Sequence, residues 1–251
     1  AWEEDYTGLL VSIGLEKGVA HPTTFFRSAA AIRCVVHGDD FTFTGEAGPL
    51  KEVEQVRRAR YDLKLRGVLG DEERDDKEIT ILNRVLRWTA RGLEYEADPR
   101  HAKAIVEYFG LGVGSKGLDV PTVREELGDE EAEKELPEKE AKEFRGLAAR
   151  ANYLAADRMD IQFGAKEACR NMAKPRVASV RKLKRLARYL LRYPRGVILF
   201  APVLDGGEGL LDVYADSDWA GCPRTRKSTS GGMLVVGGGL LKSWCSTQGP
   251  I

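Results

Sequence analysis

β-prone residues fill 31–36 and 41–45, and the polar segment His37-Gly38-Asp39-Asp40 lies between them. This predicts a β-hairpin, with Gly38 free to take the positive φ of a tight turn. A helix opens at Pro49-Leu50, with apolar positions at Leu50, Val53 and Val56, and ends near Tyr61-Asp62. After a polar, acidic loop over 67–77, strand-like stretches follow at 79–82, 85–88 and 92–95. Asp98-Pro99 marks a helix start, since Asp caps free N–H groups and Pro suits the first helical position. That helix carries Ala104, Ile105, Tyr108 and Phe109 and stops at Gly110. A helix from Leu136-Pro137-Glu138 places Phe144, Leu147, Ala148 and Leu154 on an apolar stripe. Another covers about 161–172, and a third runs over 177–193 with Val180, Leu183, Ala187 and Leu190 on one face until Pro194 ends it. The last segment is β throughout. Runs at 197–200 and 210–214 are separated by Asp205-Gly206-Gly207-Glu208-Gly209, and runs at 232–236 and 240–244 flank Gly237-Gly238-Gly239 as a hairpin.

Gly110, Gly112, Gly114 and Gly117 follow a helix, whereas a dinucleotide loop follows a strand and opens a helix, so a linker is the better reading. The acidic run near 125–143 reads as a solvated connection. Trp88, Trp219 and Trp244 read as core residues rather than base-stacking platforms.

With 251 residues and 43% hydrophobic side chains, the chain can build one large or several small cores. Its 39 basic and 39 acidic side chains balance, so net charge does not point to nucleic acid and local charge has to be read instead. The scattered cysteines Cys34, Cys169, Cys222 and Cys245 form no CxxC pair, which fits a reduced intracellular chain and argues against structural zinc. No apolar run reaches membrane-spanning length, and the first residues are not a signal peptide. A hydrolase of the Ser-His-Asp kind has no nucleophile elbow to support it.

Two features remain as chemistry. Asp39-Asp40 on a turn is by itself an ordinary turn former, but adjacent carboxylates on a rigid hairpin also suit Mg²⁺, which prefers hard oxygen donors. The helix from Val177 carries Arg181, Lys184, Arg185, Arg188 and Arg192, mostly three or four apart, opposite its apolar stripe. Such a face can track a phosphate backbone; a plain solvated face fits the pattern equally well.

Three stretches, in order, resemble copia-type retrotransposon Pol sequences. Val35-Val36-His37-Gly38-Asp39-Asp40-Phe41 resembles the reverse transcriptase's paired-aspartate hairpin, with His37 and Gly38 where the family has an aromatic and a small or apolar residue. Asn152-Tyr153-Leu154-Ala155-Ala156-Asp157-Arg158-Met159-Asp160-Ile161, then Lys174-Pro175 and Leu186-Ala187-Arg188-Tyr189-Leu190, is similar to its thumb-to-connection helices, with Met159 for the usual proline. Tyr214-Ala215-Asp216-Ser217-Asp218-Trp219-Ala220-Gly221, with Arg226-Lys227-Ser228-Thr229-Ser230-Gly231-Gly232, is similar to the opening strands of the family's RNase H domain.

The resemblance implies an α+β fold: a partial palm over 1–96, and helical thumb and connection over 97–195 with an acidic linker near 118–136. The truncated start of an RNase H sheet then occupies 196–251. It implies an RNA-directed DNA polymerase with RNase H in the intact parent, using Mg²⁺ in two-metal phosphoryl transfer. Asp39, Asp40 and Asp216 would be metal-binding catalytic carboxylates, Asp216 at the end of a central strand, while Asp218 belongs to the family's pattern without an assigned role. Arg181, Lys184, Arg185, Arg188 and Arg192 would contact nucleic acid. The implied partners are an RNA/DNA template-primer duplex and the remainder of the Pol polyprotein, in cytoplasmic particles with a nuclear product. A further aspartate upstream and more carboxylates downstream are expected to be needed, so the chain alone is expected to be inactive. The alternative is a non-catalytic nucleic-acid-binding relic of a transposon.

Overall fold

The computed structural model describes residues 1–123, 128–202 and 210–249. The chain divides into two compact units, Ala1–Arg66 and Gly67–Ile251. The divide falls within the segment 1–96.

The first unit begins with helix α1 (Trp2–Ser12) and the short strands β1 (Glu16–Lys17) and β2 (Thr24–Arg27), none of which the hydrophobic pattern had marked. The expected hairpin follows as β3 (Ile32–His37) and β4 (Asp40–Thr44), and then helix α2 (Ala47–Arg60). The four strands pair antiparallel in sequence order. β3 alternates strictly, burying Ile32, Cys34 and Val36 while Arg33, Val35 and His37 face outward. Those three meet Tyr6, Leu10, Leu15, Phe25 and Val53 in one core. α2 buries only Val53, leaves Val56 exposed, and lays Arg57 over the rings of Phe41 and Phe43 at 4.3 and 4.8 Å. A cation–π contact thus replaces part of the apolar stripe expected there.

The second unit opens with β5 (Glu78–Ile81), β6 (Arg84–Thr89) and β7 (Gly92–Glu96). Helix α3 (Pro99–Tyr108) starts as predicted: the Asp98 carboxylate accepts from Arg100 N, and Pro99 occupies the first turn. The short α4 (Glu130–Glu133), then α5 (Glu138–Ala155), α6 (Gln162–Cys169) and α7 (Val177–Arg192) complete the helical part. α3, α5, α6 and α7 share a core that includes Ile105, Phe144, Leu154, Ile161, Leu183 and Leu190. The apolar stripes read on α5 and α7 are its main walls.

β8 (Val197–Phe200) leaves α7 and returns to pair with β7, giving a sheet ordered β5-β6-β7-β8. β9 (Leu211–Ser217), β10 (Thr229–Val236) and β11 (Gly239–Thr247) form a separate antiparallel sheet ordered β11-β10-β9. The predicted Asp205-to-Gly209 separator lies outside the described residues. Trp244 closes over Gly232 opposite it, where an added Cβ would sit 2.3 Å from the ring. Trp219, by contrast, is 94% exposed and Trp88 is 43% exposed, so the core reading fails for both. Trp219 follows the edge strand β9, and nothing among the described residues covers it.

Ion pairs join sheet to helices. Asp157, just after α5, receives Arg84 Nε at 2.9 Å and Tyr95 OH at 2.7 Å. Glu96, buried at the end of β7, accepts from Arg195 at 2.8 and 2.9 Å and also from Arg87. Hydrogen bonds from Arg195, and then from Arg87, hold the Glu96 carboxyl below its usual value against the opposing effect of burial. Arg100 does the same for Asp98. A carboxylate depressed in the fold adds stability that is present above its unfolded pKa and is lost as pH falls through the folded one. The second unit should therefore hold its urea midpoint down to about pH 4.5 and lose it steeply below. Glu96→Gln should flatten that acid limb; a midpoint unchanged to pH 3 in the parent chain would refute the assignment.

Candidate functional site

The paired aspartates sit where the hairpin turns. His37 and Asp40 are the last cross-strand pair, leaving Gly38 and Asp39 as a two-residue loop, with Gly38 at φ +64°. That left-handed backbone favours glycine, so Gly38 has a conformational reason to stand in the motif. Trp2 Nε1 donates to the Gly38 carbonyl at 2.9 Å, and its ring meets Tyr6, Phe41 and Tyr61 edge-on. The first helix thus pins the turn. Asp39 is exposed, while Asp40 is half-exposed and paired with Arg66 at 3.2 Å.

These are oxygen donors of the kind a divalent cation takes, but they are two, and one is already paired with a cation. Among the described residues, no group of three His, Cys, Asp or Glu side chains is placed to hold a metal ion. The hairpin by itself does not fit a two-metal centre.

Asp216 lies near the end of β9, exposed and opposite Gly231 of β10. The expectation of a central strand is not met here: among the described residues β9 pairs only with β10 and is an edge. Asp218 has a structural task. Its Oδ1 accepts from Thr229 N at 2.6 Å and Gly221 N at 3.3 Å, closing the loop between β9 and β10.

The cations predicted on α7 are there, but most are not simply solvated. Arg181 pairs with Asp129, Arg192 pairs with Asp119 at 2.8 Å, and Arg188 Nε donates to the Lys116 carbonyl at 2.8 Å. Arg185 is half-buried, and its Nε has no hydrogen-bond partner. Lys184 is exposed. The acidic connection read as solvated is therefore partly docked, because its carboxylates meet a helix that has cations and none of its own.

Sequence reasoning missed one cluster. Glu167 on α6 is paired with Lys166 at 2.8 Å, Arg170 at 3.1 Å and Lys182 at 3.9 Å. Arg170 also donates to Cys222 Sγ at 2.9 Å, beside a cavity of about 40 Å³ that Asp218 and Thr229 help to line. Burial pushes the Cys222 thiol up, but hydrogen bonds from Thr225 and Arg170 outweigh it and bring it down to about 7. Fifty-two residues separate Arg170 from Cys222, and no spacing rule signals such a pair.

Comparison with known proteins gives the chain relatives. It is 33% identical over 109 residues to the uncharacterized mitochondrial protein AtMg00810 of Arabidopsis thaliana, a match covering 43% of each chain. It is 33% identical over 106 residues to the retrovirus-related Pol polyprotein from transposon RE1, and 32% identical over 107 residues to that from transposon RE2, both of A. thaliana. Those matches take in 42% of this chain but 7% of each polyprotein. The chain thus matches less than half the length of the mitochondrial protein and a small part of the polyproteins. No protein-family profile matches, and no solved structure does. The homologues support a transposon-derived Pol region.

The Cys222 environment can be checked by alkylation. Iodoacetamide labelling of Cys222, followed by peptide mass, should rise through pH 7 rather than near the ordinary thiol value. Arg170→Gln should move the profile upward; an unmoved profile would remove Arg170 as a cause.

Proposed function

We propose that this chain is a stretch of a copia-type retrotransposon Pol polyprotein, running from the later part of the reverse transcriptase into the start of RNase H. In this reading 1–96 derives from the palm, 97–195 from the thumb and connection, and 196–251 from the opening of the RNase H sheet. The observation that carries it is the Asp39–Asp40 pair, one in the two-residue loop of a hairpin and the next opening its second strand, in a chain whose relatives include transposon Pol polyproteins. Asp39 and Asp40 then descend from polymerase metal ligands and Asp216 from an RNase H ligand. Mg²⁺ belongs to the intact parent in this reading; among the described residues, no three His, Cys, Asp or Glu side chains are placed together to hold it. The rest of the polyprotein and a template-primer duplex are the partners in that setting, an intracellular one. No described helix is long and apolar enough to cross a membrane.

A second reading, a non-catalytic nucleic-acid-binding relic, is favoured by α7. Its sixteen residues carry Arg181, Lys182, Lys184, Arg185, Arg188 and Arg192 and no carboxylate. Cations gathered on one element bind phosphates without regard to base sequence and release counterions in doing so. The two readings share this face and differ in chemistry.

Primer extension and RNase H assays on the 251-residue chain with Mg²⁺ or Mn²⁺ should give no product. Extension that disappears in Asp40→Asn would instead make the chain a polymerase in its own right. An RNA–DNA hybrid should bind with a Kd on the order of 10⁻⁵ M and weaken as salt rises. Lys184→Glu/Arg185→Glu should abolish that binding by fluorescence anisotropy, and unchanged affinity would remove α7 from the interface.

A further inference from the structure

We propose that the acidic connection between α3 and α5 is a built-in competitor for the cationic face of α7, an intramolecular strap that nucleic acid must displace. The inference rests on the reading of α7 as a phosphate-binding helix. The described parts of the connection, 116–123 and 128–136, hold six carboxylates against two basic side chains, and α7 holds six cations and no carboxylate.

Charge alone would leave the two segments loosely associated; the backbone contacts fix them. Leu118 N donates to the Arg188 carbonyl of α7 at 3.1 Å. Gly117 lies so close to the helix that an added Cβ would stand 2.8 Å from Arg192 Cβ. Only a residue without a side chain fits there without something shifting. From this anchor the Lys116 carbonyl takes Arg188 Nε, and the Asp119 carboxylate takes Arg192 Nε and Tyr193 OH at 2.8 and 2.9 Å.

The other end of the connection is anchored at the start of the same helix. Leu136 N donates to the Pro175 carbonyl at 2.9 Å and Val177 N to the Lys134 carbonyl at 3.0 Å. Glu133 pairs with Arg176 at 2.7 Å, and Asp129 takes Arg181. Arg181, Arg188 and Arg192 are spaced by seven and four residues, so they lie on one stripe about 16 Å long. Each has an oxygen of the connection as its partner. Lys184 and the half-buried Arg185 are the cations of the predicted set that the strap leaves for a first encounter.

The side-chain pairs are about half exposed, so each is individually weak and screened by salt. A duplex presenting a row of phosphates can replace them, but only by displacing carboxylates that are tethered in place. The strap therefore lowers affinity and reduces the number of phosphates that α7 can neutralise.

The test compares hybrid binding by the full chain and its Asp119→Asn/Asp129→Asn variant across salt concentration. Asn can still cap α4 as Asp129 does, and can still accept from Tyr193, so the fold is retained while two charges go. The variant should bind an RNA–DNA hybrid about tenfold tighter at about 50 mM salt, with the log–log salt slope steeper by about 2. Gly117→Ala, which forces the strap off the helix sterically, should tighten binding in the same direction with circular dichroism unchanged. If Lys184→Glu/Arg185→Glu weakens binding while both strap variants leave it as in the parent chain, the strap is overturned and the α7 interface stands. If neither the parent chain nor the strap variants bind hybrid at about 50 mM salt, the strap and the interface are both overturned.

Discussion

Helix α7 has to be apolar on one side and carries six cations with no carboxylate of its own on the rest. Packing the apolar side against α3 and α6 puts Leu183, Leu186, Ala187 and Leu190 out of water and fixes how the helix is turned. With that turn fixed, the cations cannot choose their surroundings. The fold answers from two directions: Glu167 of α6 faces Lys182, and the connection after α3 faces Arg181, Arg188 and Arg192, while Arg185 is left half-buried with no partner for its Nε. Much of the helical half of the second unit thus supplies partners for one helix.

The same logic decides what could be read from sequence. Helices and strands with strong periodicity were legible to within a few residues: the β3–β4 hairpin, the Asp98-Pro99 start of α3, and the stripes of α5 and α7. The elements that escaped are short or irregular. β1 has two residues, and α1 buries just Tyr6 and Leu10, too few to show a period. The docking of the acidic connection escaped for another reason. Its partners are set by the tertiary placement of α7, and an acidic stretch looks the same in sequence whether water or arginine faces it.

Among the site residues, the position of Asp39-Asp40 on a tight turn was legible because Gly38 and the flanking β-prone runs specify it locally. The pairing of Asp40 with Arg66, the hydrogen bond from Trp2 that holds the turn, and the Arg170–Cys222 contact depend on long-range packing and left no trace in spacing. Asp218 shows the reverse case. It lies in the stretch that resembles an acidic RNase H motif, yet its carboxylate is used by the backbone of its own loop.

The exposed strand β9 has a consequence for the chemistry read into Asp216. Its outer backbone edge is unpaired among the described residues, and Leu211, Val213 and Tyr214 are all more than half exposed. Such an edge is a template on which a second molecule could add its own β9 and begin a fibril. Antiparallel self-pairing centred on Tyr214 would set Asp212 of one copy against Asp216 of the other, and like charges directly opposite repel. The carboxylate proposed above to descend from a metal ligand thus also acts as a charge guard against self-pairing. Replacing it with a neutral amide would remove that guard from the strand.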